Sequence, residues 1–229
     1  MPFNANNVFY QDPINLAGAN ITPLIVSADI SLPTTPFNME AAETLLAVLN
    51  THEFLVTAFA GAQNDLAFIA RTAGATPTIR VTLTDPAGNN VALSVVVATE
   101  DVNVTLATDG TSTITTTAAQ LMALLNADAA VNAIMITALA PANDGTGIVT
   151  ALVQTALGGP TGTTPTLDVT LKHGLDATNL ITNAAFAQKT TATSEFKPFT
   201  GLGSKGQWLL DVGGTTPVFA VSIVAQYRP

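Results

Sequence analysis

The chain contains no cysteine, which excludes disulfides and thiolate metal sites, so its core has to hold without covalent staples. Charge is scarce too: Asp, Glu, Lys and Arg make up 10% of the residues, against about 25% in an ordinary globular domain. Basic residues are the scarcest part of that. Seven Lys and Arg stand against 16 Asp and Glu, for a net charge of −9. The first base is Arg71, so Asp12, Asp29, Glu40, Glu43, Glu53 and Asp65 stand before it uncompensated. Without a basic patch the chain is not expected to neutralise a nucleic-acid backbone or to sit on an anionic membrane. No apolar run approaches the ~20 residues of a membrane span. The opening Met1-Pro-Phe-Asn-Ala-Asn-Asn has neither the basic nor the apolar region of a secretory signal.

What fills the chain instead is small and uncharged. Hydrophobic residues reach 48% of 229 positions, enough to bury a sizeable core. Thr, Ala, Asn and Gly take the places that Lys and Glu fill in most soluble domains. A charged surface helps keep a monomer apart from its neighbours. A skin of Thr, Ala and Gly therefore points to burial against other protein.

Short strands and turns dominate the pattern. Residues 1–20 keep no period and read as an extended arm whose Phe3, Phe9 and Tyr10 suit docking on a partner. Residues 21–32 read as extended. Met39–Asn50 fits a helix capped by Asn38 or, around Thr44-Leu-Leu-Ala-Val-Leu49, a strand, the usual ambiguity of a short apolar run. Glu53–Ala60 and Asp65–Ala70 have strand composition. Ile79, Val81 and Leu83 alternate with polar residues, as do Val102, Val104 and Leu106, the period of half-buried strands. The clearest helix spans about 116–126, with a preceding Thr as cap and Ala118, Leu121, Met122 and Leu125 on one stripe. Gly158–Pro165 reads as a linker. Beyond it Leu167–Leu171, Ala184–Lys189, Gly206–Val212 and Val218–Tyr227 read as strands. One phrase echoes: Thr76-Pro-Thr-Ile-Arg-Val-Thr-Leu, Thr164-Pro-Thr-Leu-Asp-Val-Thr-Leu and, more weakly, Thr216-Pro-Val-Phe-Ala-Val-Ser-Ile. Each reads as a proline at a strand entrance, where its missing N–H breaks no ladder.

These elements predict a mainly β protein with a jelly-roll or β-sandwich domain, an inserted small α+β domain and an extended N-terminal arm. The expected boundaries are 1–20 for the arm, 21–75 with 160–229 for the β domain, and 76–159 for the insertion.

No chemistry-bearing constellation emerges. His52 and His173 each lack a neighbouring His or Cys, and no ligand spacing for a metal is present. Gly201-Leu-Gly-Ser-Lys-Gly206 has the letters of G-x-G-x-x-G, but a strand-like Gln207-Trp-Leu-Leu follows where a dinucleotide site needs a helix. Asn143-Asp-Gly-Thr-Gly147 lacks the closing Glu of a calcium loop. Asp144 and Asp168 are the least implausible carboxylate pair for a glycan hydrolase. Trp208 suits a core strand or an interface. The expectation is a non-enzyme with no cofactor and no metal.

Two stretches resemble proteins of tailed bacteriophages. Ile79–Gly159, with Val81-Thr-Leu-Thr-Asp-Pro86, Ala92-Leu-Ser-Val95, Ile114-Thr-Thr-Thr-Ala-Ala-Gln120 and Asn143-Asp-Gly-Thr-Gly-Ile-Val149, resembles a module of phage structural proteins. Pro165–Thr178, Ala184-Ala-Phe186 and Trp208–Val224 look like small jelly-roll proteins encoded with head genes, similar to cement or decoration proteins. The resemblance implies a virion protein on the capsid surface, assembled in the bacterial cytoplasm. Its partners would be the major capsid protein and its own copies, often as a homotrimer. A tail or fibre component for host attachment is the rival expectation, weakened by the absence of aromatics between residues 76 and 160.

Overall fold

The computed structural model describes residues 21–39, 44–74 and 78–228. The arm with Phe3, Phe9 and Tyr10 lies outside the described residues. Among the described residues strands take 57% and helices 8%, so the fold is mainly β. It divides into two compact units, one built from the described residues up to Thr51 and from Pro160 onward, the other from His52–Gly159.

The first unit contains β1 (Ile21–Val26), β2 (Ile30–Asn38) and the first half of β3 (Thr44–Val56). Its later strands are β10 (Thr161–Gly174), β11 (Ile181–Ala185), β12 (Ser194–Thr200) and β13 (Lys205–Arg228). Strand β13 belongs to two sheets. Its first half pairs with β10 and β2, and β10 with β11; its second half pairs with β1 and β3, and β3 with β12. The strand orders are β2-β13-β10-β11 and β1-β13-β3-β12, two sheets of a sandwich. Alternation along β3 turns Leu45, Ala47 and Leu49 inward. They meet Leu167, Val169, Leu171, Trp208 and Leu210 from one sheet and Phe219, Val221 and Ile223 from the other in one core. The ambiguous 39–50 segment is thus a strand from Thr44 onward, because its period-2 face completes this core.

Two sequence expectations change here. Gly158–Pro165 is not a linker along its length, since β10 begins at Thr161, and the expected pair of C-terminal strands is one continuous β13. The echoed phrases explain both. Gly162-Thr-Thr-Pro165 lies opposite Gly214-Thr-Thr-Pro217 in the antiparallel β10–β13 ladder, where Thr161 faces Val218, Thr163 faces Thr215 and Thr166 faces Gly213. The ladder shifts register on both sides of Thr163. Gly162 and Gly214 have φ of 108° and 111°, and Thr164 and Thr216 both have φ of 47°. Pro165 and Pro217 sit in a paired bulge with near two-fold symmetry rather than at strand entrances; Pro77 of the first phrase lies outside the described residues. Bulges bend a ladder and raise its twist, which suits the place where β13 passes from one sheet to the other.

The second unit holds the rest of β3, then β4 (Leu66–Ala73), β5 (Arg80–Thr84), β6 (Ser94–Ala98) and β7 (Asp101–Thr105). The helices α1 (Ala118–Ala127) and α2 (Ala129–Ile134) follow, then β8 (Met135–Leu139) and β9 (Leu152–Ala156). Strands β3, β4 and β8 form one antiparallel set. The other sheet has the order β6-β7-β5-β9, with β5 and β7 parallel. Thr117 caps α1 in a capping box with Gln120. Ala118, Leu121 and Leu125 are buried and Met122 is half-buried, so the predicted stripe faces the core. Helix α2 has six residues, too short to leave a period in the sequence. Asp128 caps it by accepting from the N–H groups of Ala130 and Val131.

The expected insertion boundary at 75/76 moves to 51/52. Leu66, Phe68 and Ala70 of β4 pack with Val81, Val102 and Leu121, not with the sandwich core. Composition gave no sign of this, because β4 reads as a buried strand that either core would accept.

Candidate interaction surfaces

The residues with chemical potential are each committed to local structure. In the G-x-G-x-x-G stretch, a Cβ on Gly203 would stand 2.3 Å from the carbonyl oxygen of Gly174. A Cβ on Gly206 would stand 2.7–2.8 Å from Met39 and Phe37. These glycines allow close packing at the start of β13. The Gly203 N–H donates to Nδ1 of His173 at 2.9 Å, so this imidazole pins a loop. Beside it lies an open cleft of about 330 Å³ lined by His173, Leu175, Asn179, Ile181 and Leu202. Its wall is mostly apolar, and Asp176, next in sequence to Leu175, accepts from the amides of Thr178 and Asn179.

Asp144 accepts from the Thr146 N–H and hydroxyl at 3.0 and 2.7 Å; these bonds hold its carboxyl below the usual range. The carbonyls of Gly145 and Gly147 accept from the amides of Ala119 and Ala118, so the glycine-rich loop caps α1. Asp168 accepts from the Gln188 side chain at 2.8 Å and faces Asp211 across the ladder. Asp29, then burial and Asp168, push the Asp211 carboxyl up. The two members of the sequence-derived carboxylate pair therefore sit in different units, each bonded to its own surroundings. Among the described residues no group of three or more His, Asp or Glu is placed to hold a metal ion. No family model, curated protein or solved structure matches this chain.

His52 is 3% exposed in β3. Burial lowers its pKa below 6.5, outweighing hydrogen bonds to the backbone of Ala70 and Thr72. A depressed histidine pKa means that the unfolded chain takes the proton first. The contribution is therefore complete above about pH 6.5 and is lost as pH falls toward the folded value. Glu53 has the opposite sign, because burial pushes its carboxyl up and acid favours its folded form. Melts between about pH 7.5 and about pH 5 should show a smaller acid-induced fall in Tm for His52→Gln than for the wild type. Parallel curves would remove His52 as the titrating group.

What remains is surface. On the sheet β1-β13-β3-β12, the side away from the core presents Leu46 and Val48 of β3, Phe196 and Pro198 of β12 and Val224 of β13. Phe196 is 61% exposed and pairs with half-buried Val48. Ser194, Thr200, Thr44 and Asn50 complete the rows of β3 and β12, and among the described side chains none of these outward positions is charged. Sequence reasoning missed this face because its residues come from three distant strands. The alternation of Leu46 and Val48 with Leu45 and Leu49 was the only local signal: a strand apolar on both sides.

Proposed function

We propose that the chain is a structural protein of a tailed-phage virion, a cement or decoration protein that binds the outside of the head. In this reading its partners are the major capsid protein and its own copies in a homotrimer, and it is assembled in the host cytoplasm. The observation that carries the reading is the apolar patch around Phe196 on one outer face of the sandwich, uncharged among the described side chains. A lone soluble domain seldom exposes a Phe amid Leu, Val and Pro with no charge beside them, and such patches mark contact with other protein. The strand order adds support. Counted along the first unit, with β13 as two segments, eight strands pair as first-eighth-third-sixth and second-seventh-fourth-fifth. That is the order of a jelly roll, a fold common in capsid proteins.

Holding a shell needs area and multiplicity more than chemistry. Burying one large apolar side chain contributes about 1.5–3 kcal/mol, and a trimer engaging several subunits at once multiplies weak contacts into avidity.

Heads purified from particles that lack the chain should bind it to saturation at a fixed copy number when the two are mixed and sedimented. Phe196→Lys should weaken that binding by about tenfold or more. Deleting residues 1–20 should abolish it. Wild-type chain that stays in the supernatant at micromolar concentration overturns the reading.

A further inference from the structure

Among the described residues, strand β6 is an edge without a guard. Natural sheets protect their edges with prolines, charges, bulges or covering side chains, and this chain does so elsewhere. Strand β2 carries Pro33 and Pro36, and β12 carries Pro198 with Glu195 and Lys197 on its core-facing side. On β8 the Asn126 side chain from α1 bonds both backbone groups of Thr137. Strand β9 meets β5 through a register shift. Ser94-Val-Val-Val-Ala98 has none of these: no proline, no charge, and an unbroken ladder to β7.

The core is open along the same edge. Val95 and Val97 face Val104 and Val102 across the ladder. The two β7 valines are 1% and 0% exposed, while Val95 and Val97 are only half-buried. Leu93 and, from α1, Met122 are also half-buried members of this core. On the other face Val96 is 66% exposed.

We infer that β6 pairs antiparallel with β6 of a second copy, about a two-fold axis through Val96. The occupant follows from the sequence, which is nearly palindromic about that residue. Such pairing sets Ser94 against Ala98 of the second copy and Val95 against its Val97. The inner valines of each copy would close the other's open core, and two four-stranded sheets would become one of eight. An isologous contact needs this self-complementarity. The charges comply as well: Glu100 meets Ala92 of the other copy, and the two Glu100 residues stand at opposite ends of the ladder. The inference does not depend on the virion reading.

The chain's lack of cysteine makes the test clean. Facing residues of an antiparallel pair have Cα atoms about 4.5–5.5 Å apart, within reach of a disulfide. Under mild oxidation of dilute full-length protein, Val96→Cys should become mostly covalent dimer. Val153→Cys, at a site 82% exposed on the opposite edge strand, should stay largely uncrosslinked. In light scattering, Val96→Lys should form assemblies with half the copies of the wild type. A monomeric wild type overturns the inference. So does crosslinking no faster at 96 than at 153, or a Val96→Lys mass equal to that of the wild type, which would place self-association on another surface.

Discussion

Trp208→Ala should lower the stability of the sandwich unit by about 4 kcal/mol, within the range for deleting a large buried aromatic. Trp208 is 0% exposed. Its ring lies 5.6 Å from Phe199 edge-on, 6.0 Å from Phe186 and 6.4 Å from Phe37. Those rings come from β12, from the segment after β11, and from β2, so the indole joins both sheets. Its ladder partners are Leu171 on β10 and Leu32 on β2. Removing it leaves a cavity walled by strands that cannot all move inward, so the cavity cost adds to the lost burial. Domain stabilities of about 5–15 kcal/mol make such a loss a large share of the total. The wild type offers a further reading, because its single tryptophan reports on this unit alone while circular dichroism reports on both. Urea titrations of Trp208→Ala followed by circular dichroism should show an early transition for the sandwich. Trp208→Phe should recover most of the loss. A loss below about 1 kcal/mol for the alanine variant would mean that the aromatic cluster is not what joins the sheets.

The legible parts of this fold were those whose signal is local. Thr117, Gln120 and the Leu121–Leu125 spacing announce α1 because capping and periodicity act within a few residues. The alternations at Ile79–Leu83 and Val102–Leu106 announce β5 and β7 for the same reason. The 51/52 boundary was not legible, because β3 runs through it without a break in strand pattern and only its ladder partners change, β12 on one side and β4 on the other. The repeated Thr-Thr-Pro was visible as text, but its meaning was a matter of pairing, which the sequence leaves open. The candidate surfaces divide likewise. Composition alone pointed to a chain that keeps company with other protein. The face around Phe196 needed three strands brought side by side, and the exposure of β6 needed the knowledge that no described strand lies beyond it in the sheet.

Gly214→Ala should cost about 3 kcal/mol or more, and the reason lies in the paired bulge. Gly214 has φ of 111°, a conformation that side chains rarely adopt, and a Cβ there would stand 2.7 Å from the Thr164 carbonyl oxygen and 2.8 Å from that of Thr163. Gly162 mirrors it, with φ of 108° and a Cβ that would stand 2.6 Å from the Thr216 oxygen and 2.8 Å from that of Thr215. Backbone conformation contributes about 1–3 kcal/mol of this, and overpacking against carbonyls that cannot rotate away adds about as much. Each glycine presses on the Thr-Thr segment of the other, so the two substitutions strain one element. Gly162→Ala alone should cost a similar amount, and the double variant clearly less than the sum, since a bulge already forced open by one methyl yields to the second. Gly158→Ala serves as the control, because its φ is not in the left-handed region and no atom lies within 4 Å of the added methyl; its unfolding midpoint should stay near that of the wild type. If the two bulge variants instead behave like that control, β13 does not need this bend to serve both sheets. If their costs simply add, the two glycines are separate accommodations and the symmetry of the motif has no energetic meaning.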